Sequence, residues 1–129
     1  MRTIATLAAT GESPSTARAL IRAELGDSDE QAVAAAELMI SELVTNAVVH
    51  AATSIEIALE WTGATVTVEV RDTDPRCPVV RKPSESAPHG RGLLIVRAIA
   101  QDWGIRVRED GKSVWFSVPC RWPGPGPTP

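Results

Sequence analysis

The chain has 129 residues, with 13 lysines and arginines against 16 aspartates and glutamates, a formal charge of −3 and an isoelectric point near 5.4. That length suits one domain burying roughly two thirds of its unfolded surface, and the acidic balance leaves no electrostatic footprint for nucleic acid or anionic lipid. Charges interrupt the longest apolar stretches before the roughly 18 residues a membrane span needs, which argues for a soluble, cytoplasmic protein. Cys77 and Cys120 lack metal-ligand spacing and suit a reduced compartment, with a single bridge left open.

Taken in order, residues 2–8 read as a strand; the opening Met1-Arg2-Thr3 imitates a signal peptide, but Thr3 and Thr6 break its apolar run. Gly11-Glu12-Ser13-Pro14 supplies a break, a capping serine and a first-turn proline, predicting a helix from Pro14 to Leu25 that Gly26 ends. Asp27, Ser28 and Asp29 offer the cap of a second, longer helix reaching Ala51, with Val33, Ala36, Ile40, Leu43, Val44 and Ala47 as its core stripe. Two alternating runs, 54–61 and 65–71, meet at Thr62-Gly63 and predict an antiparallel hairpin with Val66, Val68 and Val70 on one face. From Asp72 to His89 periodicity gives way to a proline-rich loop, the kind of segment that forms a lid or stays disordered. Gly90-Arg91-Gly92 then leads into a third helix, 93–101, with Leu93, Val96 and Ala100 inward. Strands 103–109 and 112–118 follow, joined at Asp110-Gly111. The domain is expected to span residues 1–118. Residues 119–129 read as a disordered Pro/Gly tail in which only Trp122 suggests order.

Three polar positions stand out. Glu42 and Asn46 lie one helical turn apart, beside the apolar stripe; such oxygen groups can hold a hard cation and activate a hydroxyl, although they equally suit a solvated face. Asp72 stands where a valine-rich strand runs out, as an acceptor for an exocyclic amine or as an ordinary turn aspartate. Gly90-Arg91-Gly92-Leu93-Leu94 carries glycines into a helix N-terminus, where backbone N–H groups and the helix dipole favour phosphate; a lid hinge would read the same way.

In this order the three motifs resemble the GHKL ATP-binding superfamily over nearly the whole chain. The ending Gly90-Arg-Gly-Leu-Leu-Ile-Val with Asp102-Trp-Gly and Ser113-Val-Trp-Phe is most similar to single-domain actinobacterial anti-sigma factor serine/threonine kinases. The resemblance implies an α/β fold of two layers, a Bergerat-type ATP-binding sandwich with a mixed, largely antiparallel sheet and three helices on one face. It implies ATP and Mg²⁺ as cofactors. Asn46 matches the metal ligand and Glu42 the general base that takes the proton of a seryl or threonyl hydroxyl. Asp72 matches the adenine-reading aspartate, and Gly90, Gly92 and the amides of Leu93 and Leu94 match the phosphate-binding turn. Arg91, with Arg76, Arg81 and Lys82, would add positive charge over the phosphates. Implied partners are a sigma factor and an anti-sigma antagonist, together with a second copy of the chain as a homodimer. The chain departs from the family at Asp72-Thr73-Asp74-Pro75-Arg76, which lacks the glycines of the usual first glycine box, and at His89, where another glycine is common. A catalytically silent nucleotide-binding regulator and an interaction domain without nucleotide are the alternatives.

Overall fold

A computed structural model of the protein describes residues 1–26, 28–50, 54–73, 92–122 and 124. Its elements are β1 (Arg2–Leu7), α1 (Ser13–Leu25), α2 (Glu30–His50), β2 (Ile55–Thr62), β3 (Thr65–Asp72), α3 (Gly92–Ile99), β4 (Asp102–Arg108) and β5 (Gly111–Pro119). Every expected element is present, and most ends fall within a residue or two of expectation. Asp29 caps α2 by accepting the Gln31 N–H at 2.9 Å. Ser13 does not cap α1: the cap position falls on Glu12, whose side chain makes no capping bond. The Ser13 hydroxyl is engaged in the preceding turn, donating to the Ala8 carbonyl and accepting the Thr10 N–H at 3.2 Å.

The strands form one sheet in the order β1-β2-β3-β5-β4. Among the described residues all four pairings are antiparallel, where a mixed, largely antiparallel sheet was expected. Two helices between β1 and β2 return the chain to the end it left, so β2 runs back along β1. The single helix α3 makes β4 run parallel to β3, but β5 inserts between them and removes the parallel contact.

Period-two alternation sends Ile57, Leu59, Val66, Val68, Val70, Val114 and Phe116 to the face that carries the helices, where each is buried. The α2 stripe meets them there: Val33, Ala36, Ile40 and Val44 are wholly buried. By length and composition alone, the 20 residues Glu30–Val49 of α2 could also cross a bilayer, despite Glu37 and Glu42. In this fold the helix packs against α1, α3 and the sheet, and its apolarity serves the core.

Described residues past 118 join the fold. Pro119 ends β5, and the Cys120 N–H donates to the Ala64 carbonyl at 2.8 Å. The Cys120 thiol is free, buried and 3.4 Å from the Ser28 hydroxyl. Trp122 meets Trp61 edge to face at 5.3 Å, an aromatic anchor that extends the fold past residue 118. Cys77 lies outside the described residues.

On the opposite face of the sheet an ionic cluster surrounds a buried carboxylate that alternation alone would place in solvent. Glu69 is 1% exposed; it accepts the Arg71 Nε–H at 2.7 Å, and Arg106 lies 3.7 Å from its other oxygen. Burial pushes the Glu69 carboxyl up, but the Arg71 hydrogen bond and the charges of Arg71 and Arg106 outweigh it and hold the group below its ordinary value of 4.5. A depressed carboxyl stabilises the fold fully above the unfolded value and loses that contribution as pH falls through the folded value. Urea midpoints measured at about pH 7, 5 and 3.5 should therefore fall more steeply on the acid side for the wild type than for Glu69→Gln. Equal slopes would remove Glu69 from the acid transition.

Candidate functional site

Strand register determines which groups meet at each end of the sheet. Arg71 pairs with Glu56 at the start of β2, and Asp72 pairs with Lys112 at the start of β5. Helix α2 ends at His50, shortly before β2 begins. The last turns of α2, including Glu42 and Asn46, therefore lead to the sheet end that holds Asp72. β4 starts at Asp102, opposite Ser117 and away from Asp72.

Glu42 and Asn46 sit on α2 beside the buried Leu43, Val44 and Ala47, and both are partly exposed. The turn they share is pinned by Thr45, whose hydroxyl donates to the Ser41 carbonyl at 2.7 Å, and by Arg18 Nη1, 2.7 Å from the Ser41 hydroxyl. The Asn46 Oδ1 atom is buried and has no hydrogen-bond partner among the described residues. An orphan acceptor of this kind costs about 1–3 kcal/mol, and a hard cation or one of its waters would satisfy it. Among the described residues no group of three or more His, Cys, Asp or Glu side chains is placed to hold a metal. A lone carboxamide oxygen suits Mg²⁺, which keeps most of its shell as water and phosphate. The donor set therefore fits the implied metal.

Asp72 is the last residue of β3. Its side chain is 5% exposed, and Oδ1 lies 3.1 Å from Lys112 Nζ, which is 8% exposed. Gly111, just before Lys112, lies so close to β3 that an added Cβ would overlap the Asp72 carbonyl oxygen; its φ of +152° is in the region that favours glycine. The expected turn is accordingly shifted by one residue. Glu109 and Asp110 form the loop, and Gly111 already pairs with Arg108. Gly92, Leu93 and Leu94 open α3, as the phosphate-turn reading requires. Gly90, Arg91 and the lid residues Asp74, Arg76, Arg81, Lys82 and His89 lie outside the described residues. An open cleft of about 250 Å³ is lined by Asp72 and Lys112 together with Glu56, Arg71, Arg108 and Ser113, the last four on the sheet face away from α2.

The structure puts the C-terminal half of α2, which carries Glu42 and Asn46, and the end of β3, which carries Asp72, toward one end of the sheet. It adds two residues that sequence reasoning missed, Lys112 and Gly111. Their signal was present as a charge and a glycine just after a hairpin loop, but it becomes readable only once β3 is known to pair with β5.

The model of the histidine kinase-like ATPase domain family matches residues 6–118. A search of curated proteins gives no match. Among solved structures, the crystal structure of the RsbU and RsbW domains of Rv1364c from Mycobacterium tuberculosis is similar at a TM-score of 0.70 and 23% identity, covering 94% of this chain. This chain spans 33% of that one, so the likeness is one of fold over a single region. With α2, the Asp72 strand end and α3 all inside the matched residues, the chain belongs to the histidine kinase-like ATPase domain family.

Proposed function

We propose that the protein is a cytoplasmic, ATP-binding regulator of the anti-sigma type and a serine/threonine protein kinase that phosphorylates an anti-sigma antagonist. The observation that carries this reading is the buried Asn46 Oδ1, without a partner among the described residues, one turn from the partly exposed carboxylate of Glu42. In this reading Asp72 accepts the exocyclic amine of adenine, and the amides of Gly92, Leu93 and Leu94, with Gly90 and Arg91, receive the phosphates. Mg²⁺, when bound through Asn46, would neutralise charge on the transferring phosphoryl group. Glu42 takes the proton from the acceptor hydroxyl as its oxygen attacks the γ-phosphorus and the bond to the β-phosphate oxygen breaks. The partners are a sigma factor and an anti-sigma antagonist, and the protein acts as a homodimer.

Incubation with labelled ATP and candidate antagonist proteins tests this reading. Transfer of label to a seryl or threonyl residue supports it; nucleotide binding without transfer to any antagonist that binds the protein contradicts the kinase. The second reading, a silent nucleotide-binding regulator, is favoured by the glycine-poor Asp72-Thr73-Asp74-Pro75 segment.

A further inference from the structure

An open sheet has two edges, and here β1 and β4 occupy them. The N–H and C=O groups along an edge are a template for another strand, and proteins blunt edges with bulges, charges or a cover. β1 is blunted: its register shifts between Thr3 and Ala5, and Arg2 is tied to Glu24 of α1 at 2.9 Å. β4 pairs with β5 at every position from Asp102 to Arg108 without a shift. Among the described residues no strand pairs with the other edge of β4.

Side chains along β4 alternate between two rows. Trp103, Ile105 and Val107 stand on the helix-covered side, opposite Phe116, Val114 and Lys112. Trp103 and Ile105 pack partly against the core, whereas Val107, at 52%, is the most exposed large apolar side chain described. The other row is Asp102, Gly104, Arg106 and Arg108, and its three charged members are exposed.

Laid against a copy of itself in the antiparallel sense, β4 pairs along its whole length when the two-fold axis passes at Ile105. Asp102 then faces Arg108 of the second copy at each end, and Trp103 faces Val107. Arg106 faces Gly104, which has no side chain to oppose it. An axis at Arg106 would set the two Arg106 side chains against each other, and one at Gly104 would leave Val107 and Arg108 unmatched. Opposite charges directly across a strand pair stabilise it and like charges destabilise it, so the sequence of β4 selects the first register.

We infer that the outer edge of β4 is the surface on which a second copy of this chain pairs, antiparallel about a two-fold axis at Ile105, so that the two sheets continue into one. The inference rests on the homodimer of the proposed function and gives it a surface and a register.

Sedimentation equilibrium of the full chain at low salt, from micromolar to millimolar concentration, reads the association. Wild type should dimerise. Asp102→Arg alone sets like positive charges against each other at both ends of the pairing, and Arg108→Asp alone sets like negative ones. Each should weaken dimerisation about tenfold or more. An equimolar mixture of the two variants restores both opposite-charge pairs, so heterodimers should form within about threefold of the wild-type affinity. Melting of each variant reports whether it folds, and Asp102→Lys or Arg108→Glu replaces one that does not. A monomeric wild type overturns the homodimer and this surface together. A dimer that neither variant weakens, or that both weaken with no recovery on mixing, overturns the β4 surface and leaves the homodimer standing.

Discussion

Glu42→Gln is expected to lower phosphoryl transfer to an antagonist protein about 10²- to 10⁴-fold, the usual contribution of a general base, while Mg·ATP affinity stays within about threefold. The change keeps shape and removes only the ability to accept a proton. Glu42 is partly exposed on α2, so its loss should leave the fold intact, as surface substitutions usually do within about 0.5 kcal/mol. Single-turnover transfer from labelled ATP, run beside a binding isotherm, separates the two effects. Transfer at the wild-type rate by Glu42→Gln would end the general-base assignment, and equal loss of binding and transfer would move Glu42 into the binding machinery.

Gly111→Ala should cause a large loss of stability for the addition of one methyl group. The added methyl would overlap the Asp72 carbonyl oxygen, and the residue would keep a φ of +152°. The neighbour it displaces is backbone, not the flexible end of a side chain, so β3 and β5 must separate where Asp72 and Lys112 meet. Strained backbone of this kind costs about 1–3 kcal/mol before any separation of the strands. A total near 3 kcal/mol would lower the melting temperature by roughly 10 °C. Gly63, also at positive φ, has open space around it, so Gly63→Ala should cost only about 1 kcal/mol. Equal losses at the two positions would contradict the close approach of β3 and β5.

Much of the fold was readable because its signals are local. Alternation in 54–61 and 65–71, the Asp29 cap and the apolar stripe of α2 each depend on residues within a turn or a hairpin. The deviations came from contacts distant in sequence. β5 lies between β3 and β4, which makes the sheet wholly antiparallel, and nothing in either strand announces that order. Glu69 looked like the solvent-facing member of an alternating strand, yet Arg106 of β4 and its own neighbour Arg71 bury it. Trp122 follows Cys120-Arg121 and leads into a Pro/Gly run, and its partner Trp61 lies far back in β2. The site divides in the same way. The Glu42–Asn46 spacing and the Gly92 helix start are local and were legible, whereas the Asp72–Lys112 salt bridge needed the β3–β5 register.

The central claim is that the end of the fold shared by Asn46 and Asp72 binds Mg·ATP. Thermal unfolding of wild type, Asp72→Ala and Asn46→Ala, with and without Mg·ATP, tests it most directly. At about 100 times Kd, ligand should stabilise the wild type by roughly 2.7 kcal/mol, a rise of several degrees. Asp72→Ala should lose most of that rise. Asn46→Ala should lose the part that depends on Mg²⁺ and keep the part seen with ATP and chelator. No shift of the wild type at millimolar nucleotide, or a full shift in Asp72→Ala, would contradict the account.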